Sequence, residues 1–251
     1  MTTLEVTLEG LFQSFRLPLA FKYQRTLRFP PPTTLFGLLG SVLGKDVKFT
    51  HYELPKQIKV ACVGQKSPVN RDLMTYRAVQ GKSVKPEVIE REFVPLINLS
   101  LFIHAEDELL QELEQAFYEP VGAMVLGRAD ELITAKDVKR IELREVGNLF
   151  SQENIYFRPG LYQGNIRDML DFKFEQESFS SYEPPESFSL PNGFEYIDNM
   201  GTRKVNISDF KEFTQLTSKW PVKKDKLDSN WKIHNNENFI IPFTTLDRRY
   251  S

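Results

Sequence analysis

Residues 25–44 read RTLRFPPPTTLFGLLGSVLG, and the rest of the chain is organised around this stretch. Its prolines, Pro30–Pro32, fix an extended lead-in and then permit a helix to begin, because proline is tolerated in the first helical turn. The apolar run that follows predicts a helix over 33–42. Thr33 and Thr34 stand at its start, where a hydroxyl side chain can cap unpaired backbone N–H groups.

Two features of this stretch favour an anionic ligand. A helix N-terminus carries unpaired N–H groups and a partial positive charge, and Arg25 and Arg28 add cationic donors just upstream. Gly37, Gly40 and Gly44 lie near one side of the helix, where another backbone can approach closely. The alternative is an ordinary buried helix behind a proline-rich loop, which for this stretch taken alone is the commoner case.

The order of regular segments around this helix predicts an α+β fold. Periodicity and apolar runs predict strands at Leu4–Glu9, Gln57–Gly64, Phe93–His104, Ala123–Arg128 and Val138–Leu143. A second helix is predicted over 106–117, with leucines on one face and carboxylates on the other. The resulting order is that of a ferredoxin-like (RRM-like) βαββαβ core, with an insertion between its second and third strands.

The insertion begins at Gln65 and is basic. Its cations up to residue 85 are Lys66, Arg71, Arg77, Lys82 and Lys85, and the carboxylate among them is Asp72. A second basic zone covers 203–232. The default interpretation of this zone is a solvated surface, and contact with target DNA or a neighbouring subunit is the alternative.

We expect one core domain over 1–146, followed by a less regular part over 147–251. This second part is rich in serine, proline, glutamate and aromatic residues, which predicts loops and short strands. The apolar run Phe239–Phe243 predicts a late strand that returns to the core. Helix signals are too sparse after 147 to predict a separate domain, so we expect a β-rich extension packed on the core.

Composition narrows the function classes. The net charge of −2 neither favours nor excludes a nucleic-acid partner. Cys62 is the one cysteine, so an internal disulfide and a site with two thiolates are excluded. We expect a cytoplasmic protein without a membrane segment, since neither a signal peptide nor a long apolar run is visible. The common motifs for metal ions and for nucleotide phosphates are absent, so we expect no metal and no cofactor.

Two motifs resemble those of a known family. Pro31, Pro32, Thr34, Gly37 and Gly44 match a P-P-x-T-x-x-G-x-x-x-x-x-x-G pattern that opens the first helix of the fifth Cas protein family. The later segment Leu126–Glu131 reads LGRADE and is similar to that family's L-G-R-S/A-x-D/E segment. The chain therefore resembles this family of RAMP-superfamily proteins, which are subunits of CRISPR Cascade complexes.

The resemblance implies both an architecture and a function. It implies a ferredoxin-like core with a β-hairpin thumb at about 65–92, between the second and third strands. It also implies a non-catalytic scaffold that grips the 5′ handle of CRISPR RNA and caps the filament of backbone subunits. The large subunit, and target DNA through the assembled complex, are the further partners implied.

Candidate RNA contacts follow from the basic residues and the resemblance together. They are Lys22, Arg25, Arg28, Thr33, Thr34, Arg71, Arg77, Lys82 and Arg128, with Gly37, Gly40 and Gly44 as close-approach positions. For Arg128 three roles stay open: an RNA contact, a subunit contact, or a bond to a helix C-terminus. Tyr23, Phe29 and Tyr76 are candidates for stacking on bases, although each is more often simply packed.

Two other functions stay open. One branch of the family cleaves repeat RNA without metal, which needs a general base and a general acid. His51, His104 and His234 are far apart in the sequence, so Tyr23 with Lys22 is the one pairing that merits a test. The second alternative is a generic ferredoxin-like module for protein interaction.

Overall fold

The structure is a computed structural model that describes residues 2–18, 23–80, 83–146, 154–172, 183–193, 195–196, 203–204, 209–227 and 231–246. Lys22 and Lys82, both candidate RNA contacts, lie outside the described residues, and so does the side chain of Tyr76. Parts of the second basic zone, over 205–208 and 228–230, also lie outside them.

The described helices are few and the strands many. The helices are α1 (Pro32–Val42), α2 (Leu54–Gln57) and α3 (Asp107–Tyr118), with a π-helix at Phe49–Glu53 and 3-10 turns at Arg167–Met169 and Lys224–Lys226. The strands of the first half are β1 (Thr2–Gln13), β2 (Phe15–Arg16), β3 (Tyr23–Gln24), β4 (Thr26–Leu27), β5 (Lys59–Gly64), β6 (Asn70–Gln80), β7 (Ser83–His104) and β8 (Ile133–Glu145). Those of the second half are β9 (Tyr156–Phe157), β10 (Gly160–Gln163), β11 (Glu186–Pro191), β12 (Glu195–Tyr196), β13 (Arg203–Lys204), β14 (Phe210–Leu216), β15 (Trp220–Pro221), β16 (Lys232–His234) and β17 (Phe239–Ile241). The predicted α+β class is confirmed.

Four antiparallel strands in the order β5-β7-β1-β8 form the centre of the main sheet. The alternation in β1 explains its position, because Leu4, Val6 and Leu8 are fully buried on one face. Helices α1 and α3 cover that face and share one hydrophobic cluster with those residues. Neither helix is long and apolar enough to span a membrane, and the same holds for every other helix in the described ranges.

A long hairpin, formed by β6 and the first half of β7, extends from the centre of the sheet. Strand β7 is 22 residues long and contains the predicted strand Phe93–His104 as its second half. Its first half pairs with β6 in a continuous antiparallel register from Asn70↔Phe93 to Gln80↔Ser83. We call this unit, residues 70–93, the hairpin. It lies in the predicted basic insertion and extends directly from the central strand of the sheet.

The second part of the chain adds strands at both edges of the centre. Strand β10 pairs with β5 and carries β14 and β11 beyond it, whereas β16 pairs with β8 and carries β17. Phe239 and Ile241 of β17 are buried against Phe102 on the face of the sheet opposite α1 and α3. The late apolar strand therefore returns to the core, as its composition predicted.

Two local predictions are wrong. Ala123–Arg128 is not a strand, because the chain turns back at Gly127 (φ 119°) and makes only an isolated bridge between Val125 and Leu132. Thr33 and Thr34 do not cap α1. Pro31 is the residue before the first turn, and its carbonyl accepts the N–H groups of Thr34 and Leu35. The threonines lie one and two residues inside the end that they were predicted to cap.

Candidate RNA interface

Arg28 is held by three separate parts of the fold. Its backbone N–H donates to Gln215 Oε1 at 2.8 Å, and its Nη1 donates to the Ser67 carbonyl at 3.0 Å. Its Nη2 lies 3.6 Å from the Glu183 carboxylate. The guanidinium is thus fixed in place next to the start of α1, and it already faces an anion supplied by this chain.

Other residues of the opening stretch differ in exposure. Arg25 is exposed, and its carbonyl accepts the N–H of Leu17. Thr33 is buried and Thr34 is half-buried. Phe29, proposed for base stacking, is fully buried in the main hydrophobic cluster, so it packs the core.

The three glycines of α1 have different reasons to be glycine. Gly44 has φ 63° and ends the helix, with its own N–H bonded to the Ser41 carbonyl and the next N–H to Gly40. A Cβ at Gly40 would overlap the side chain of Thr50. A Cβ at Gly37 would have no neighbour within 4 Å. Gly37 is therefore the one member of the set that the chain's own described packing does not require.

The base of the hairpin joins an aromatic ring to charged side chains. Strand β3 runs parallel to β7, with Tyr23 beside Glu90. The Tyr23 hydroxyl donates to Glu92, and this hydrogen bond raises the pKa of Tyr23 above its ordinary value. The guanidinium of Arg71 lies 5.4 Å from the centre of the Tyr23 ring and 3.5 Å from Glu90. Arg71 and Tyr23 are thus brought together, as cation and ring, on one face of the hairpin.

Carboxylates on both strands offset part of the hairpin's positive charge. Arg71 faces Glu90, and Arg91 lies 3.3 Å from Asp72. Toward the tip the side chains of Arg77 and Lys85 are exposed, on adjacent pairs of the register. The exposed positive charge of the described hairpin is therefore greatest near its end.

Arg128 reaches the hairpin from the other side. Its Nη1 lies 3.1 Å from the sulfur of Met74, and its Nε lies 3.3 Å from Asp130. Arg71 and Met74 point to opposite faces of β6, since successive side chains alternate along a strand. The structure consequently places the two arginines on either side of the hairpin base. One role left open for Arg128 was a bond to a helix C-terminus. Among the described residues, Arg128 makes no such contact.

The rest of the LGRADE segment has a structural explanation. Glu131 is buried, and its carboxylate accepts the N–H of Ser14 at 2.7 Å, the Ser14 hydroxyl at 2.5 Å and the N–H of Arg128 at 2.9 Å. Gly127 is required beside it, because a Cβ there would overlap this carboxylate. The motif thus ties a turn to the end of β1, and it presents Arg128 to the hairpin.

The three histidines considered for cleavage lie outside the hairpin, in the π-helix and at the ends of β7 and β16. His104 bonds to the Thr3 hydroxyl at 3.2 Å, and burial lowers its pKa. His234 is buried between Phe239 and Glu5. Within the described ranges, no group of three His, Cys, Asp or Glu side chains could hold a metal ion.

Sequence reasoning missed the carboxylates that organise this region, Glu92, Glu131 and Glu183. Each meets at least one partner across a large separation in sequence, and Ser14 and Glu131, like Lys66 and Glu183, are 117 positions apart. No local pattern marks such a pairing. A motif did point to Glu131, although not to its role.

A family model described as CRISPR-associated protein (Cas_Cas5) matches residues 3–204. The chain belongs to the Cas5 family. The matched range includes the first helix, the hairpin and the LGRADE turn. No curated protein matches the chain.

Solved structures with a similar fold include other CRISPR proteins. One is a chain of a CRISPR RNA-guided surveillance complex, with a TM-score of 0.56 at 13% identity, covering 88% of this chain and 90% of that one. Another is a CRISPR protein from Archaeoglobus fulgidus, with a TM-score of 0.50 at 12% identity, covering 98% and 100%. At these identities the likeness shows a common fold for this Cas5-family chain.

Proposed function

We propose that this Cas5-family protein is an RNA-binding subunit of a type I CRISPR interference complex, in which it grips the 5′ handle of CRISPR RNA. The sheet order β5-β7-β1-β8 with α1 and α3 on one face supports a ferredoxin-like RAMP core. The hairpin then corresponds to the thumb of that core. In this role the protein caps the filament of backbone subunits, contacts the large subunit, and meets target DNA through the assembled complex.

The observation that carries the proposal is the hairpin itself. It is formed by β6 and the first half of β7, and the second half of β7 pairs with β1 in one register with an interruption at Leu96 (φ 49°), so the hairpin is attached directly to the core sheet. It exposes Arg77 and Lys85 near its end and holds Arg71 against the ring of Tyr23 at its base. Cations beside an accessible aromatic ring suit a single strand, because phosphates and bases are bound by these two groups.

We propose further that the role is non-catalytic. Tyr23 is a poor general base, since its hydroxyl donates to Glu92 and its pKa is raised. His104 is engaged by Thr3 and does not lie on the hairpin. Burial lowers its pKa, so a smaller fraction of His104 carries the proton that a general acid must donate near neutral pH.

The binding proposal is tested by fluorescence titration of the full chain with a labelled repeat RNA that carries the handle. The variant Arg77→Gln/Lys85→Gln removes two exposed cations from the hairpin, and we expect its affinity to fall about tenfold at low salt. The logarithm of affinity should also depend less steeply on that of salt, by about 0.7 for each phosphate that the variant no longer neutralises. Lys136→Gln is the matched control, because it removes an exposed cation from β8 that pairs with Glu9.

Three outcomes separate the alternatives. Equal reductions of affinity for the hairpin variant and Lys136→Gln would contradict binding by the hairpin. Equal and weak binding of handle RNA and of a scrambled RNA would favour the generic interaction module. Clean cleavage of repeat RNA by the pure protein in chelator would overturn the non-catalytic role and favour the endoribonuclease.

A further inference from the structure

Three donors from distant parts of the chain converge on the carboxylate of Glu183. Lys66 Nζ lies 2.6 Å from Oε1, the Thr217 hydroxyl donates to Oε2 at 2.8 Å, and Arg28 Nη2 lies 3.6 Å from Oε2. We call these four residues the Glu183 cluster. The group bound by its donors carries one negative charge and presents two oxygens.

Two of the three donors, Arg28 and Thr217, are held independently of Glu183. Arg28 is fixed through Ser67 and Gln215, and Gln215 is itself buried and bonded to Glu186. Thr217 is 4% exposed and directly follows β14. The positions of Arg28 and Thr217 therefore do not depend on the carboxylate that now faces them.

Glu183 is held far less firmly. Its side chain is 42% exposed, and it lies outside regular structure, three residues before β11 begins. Ion pairs with this exposure are weak, because water competes for both partners. A carboxylate of this kind can leave the donors at little energetic expense when a better anion arrives.

A phosphodiester is the anion that matches this donor set. It has one negative charge and two non-bridging oxygens, so it can replace the carboxylate without a change in net charge. Arginine and lysine are the usual donors to phosphate, and a hydroxyl often adds a third bond. The cluster also joins the two parts of the proposed RNA surface, because Arg28 leads into α1 and Lys66 leads into the hairpin.

We propose that Arg28, Lys66 and Thr217 form a subsite for one phosphodiester of the bound nucleic acid, and that Glu183 occupies this subsite until the nucleic acid displaces it. This inference rests on the proposed function and adds a site and a competitor to it. Glu183 acts as an internal anion that weakens binding of strands unable to make the remaining contacts.

The variant Glu183→Gln tests the competition. It keeps the side chain's size and removes its charge, and we expect affinity for the handle RNA to rise about threefold to fivefold at low salt. The dependence of affinity on salt should steepen by up to about 0.7, because the variant lacks the carboxylate that offsets the positive charge available to neutralise one phosphate. When the protein also carries Arg28→Gln, the change Glu183→Gln should raise the affinity for handle RNA by less than half of this factor.

Glu186→Gln is the matched control. It removes an exposed carboxylate three residues away from Glu183. Glu186 accepts from Gln215, and its described contacts do not include Arg28 or Lys66. Its effect on affinity should stay below twofold. An equal gain in both variants would overturn the subsite, since it would show only a general change of charge.

The results also distinguish this inference from the proposed function. If the wild type binds handle RNA and Glu183→Gln gives no gain, the subsite is wrong and RNA binding stands. If neither protein binds RNA, both proposals fail. A DNA oligonucleotide of the same sequence identifies the source of the phosphate: a gain on both strands shows recognition of the phosphodiester, and a gain on DNA alone would overturn the assignment to RNA.

Discussion

Glu131 and Glu183 are two carboxylates with three donors each, in opposite surroundings. Glu131 is 1% exposed and accepts hydrogen bonds from the backbone and hydroxyl of Ser14 and from the backbone of Arg128. Glu183 is 42% exposed; it accepts from the Lys66 ammonium and the Thr217 hydroxyl, and it forms an ion pair with Arg28 at 3.6 Å. The first carboxylate completes the fold. The second neutralises cations that another anion could use.

The difference teaches how to separate fold from function in a chain of this family. Glu131 is buried and accepts from two backbone N–H groups and a hydroxyl, which would stay unpaired without it, so this carboxylate is part of the structure. Cationic side chains at a surface can exchange one anion for another. Exposure and the type of donor together are therefore better guides to an RNA contact than charge alone.

The largest expected effect comes from Glu131→Ala. The change leaves the donors of Ser14 and Arg128 unpaired in a buried site, so the free energy of unfolding should fall by about 3 kcal/mol. The matched change Glu183→Ala should lower it by less than about 1 kcal/mol. Urea denaturation of the full chain measures both. Equal reductions would remove the contrast between the two carboxylates.

Two glycines of helix α1, Gly40 and Gly37, differ in the same way, because the packing of the fold requires the first and not the second. Gly40→Ala should lower the free energy of unfolding by about 1–3 kcal/mol, because the added methyl overlaps Thr50. Gly37→Ala meets no atom within 4 Å and should raise it by about 0.5–1 kcal/mol, since alanine is the better helix former.

RNA affinity then sharpens the comparison. If Gly37→Ala stabilises the protein and also weakens binding of handle RNA, its open side is a contact surface. A stabilised variant with unchanged affinity would show that Gly37 does not approach RNA. A loss of stability in Gly37→Ala would contradict the open space found beside it.

The smallest expected effect is a change in the free energy of unfolding with pH. Hydrogen bonding to Lys66 lowers the pKa of Glu183 below its ordinary value of 4.5. A lowered pKa means that the ionised carboxylate stabilises the fold above pH 4.5 and loses this contribution as the pH falls through the folded value. The small advantage of the wild type over Glu183→Gln in urea should therefore disappear in acid. An advantage that persists or grows below this range would contradict the lowered pKa.

Sequence reasoning succeeded where neighbouring residues decide the structure. The alternation in 4–9 predicted β1, and prolines on one side and Gly44 on the other bounded α1 to within one residue. It failed at 123–128, where an apolar run that predicted a strand is bent back by Gly127. The threonines failed as caps because a third proline already occupies the first turn and shifts the start of the helix.

The candidate site was predicted only in part. Basic residues in the insertion correctly indicated a distinct segment, and the motifs led to the right family. Charge counting over 65–85 stopped short of Glu87, Glu90 and Glu92, which follow on the return strand. The pairing of β6 with β7 brings Glu90 to Arg71. The base of the hairpin therefore carries less net positive charge than the count over 65–85 indicated.

The sequence by itself determined the α+β class, the first helix, the site of the insertion and membership of the Cas5 family. These depend on interactions within a few residues, or on motifs that a chain carries unchanged. The tertiary structure alone decided which carboxylate meets which donor, as for Ser14 with Glu131 and Lys66 with Glu183, both 117 residues apart. Contacts at that distance arise only when the whole sheet is assembled, and no local propensity encodes them.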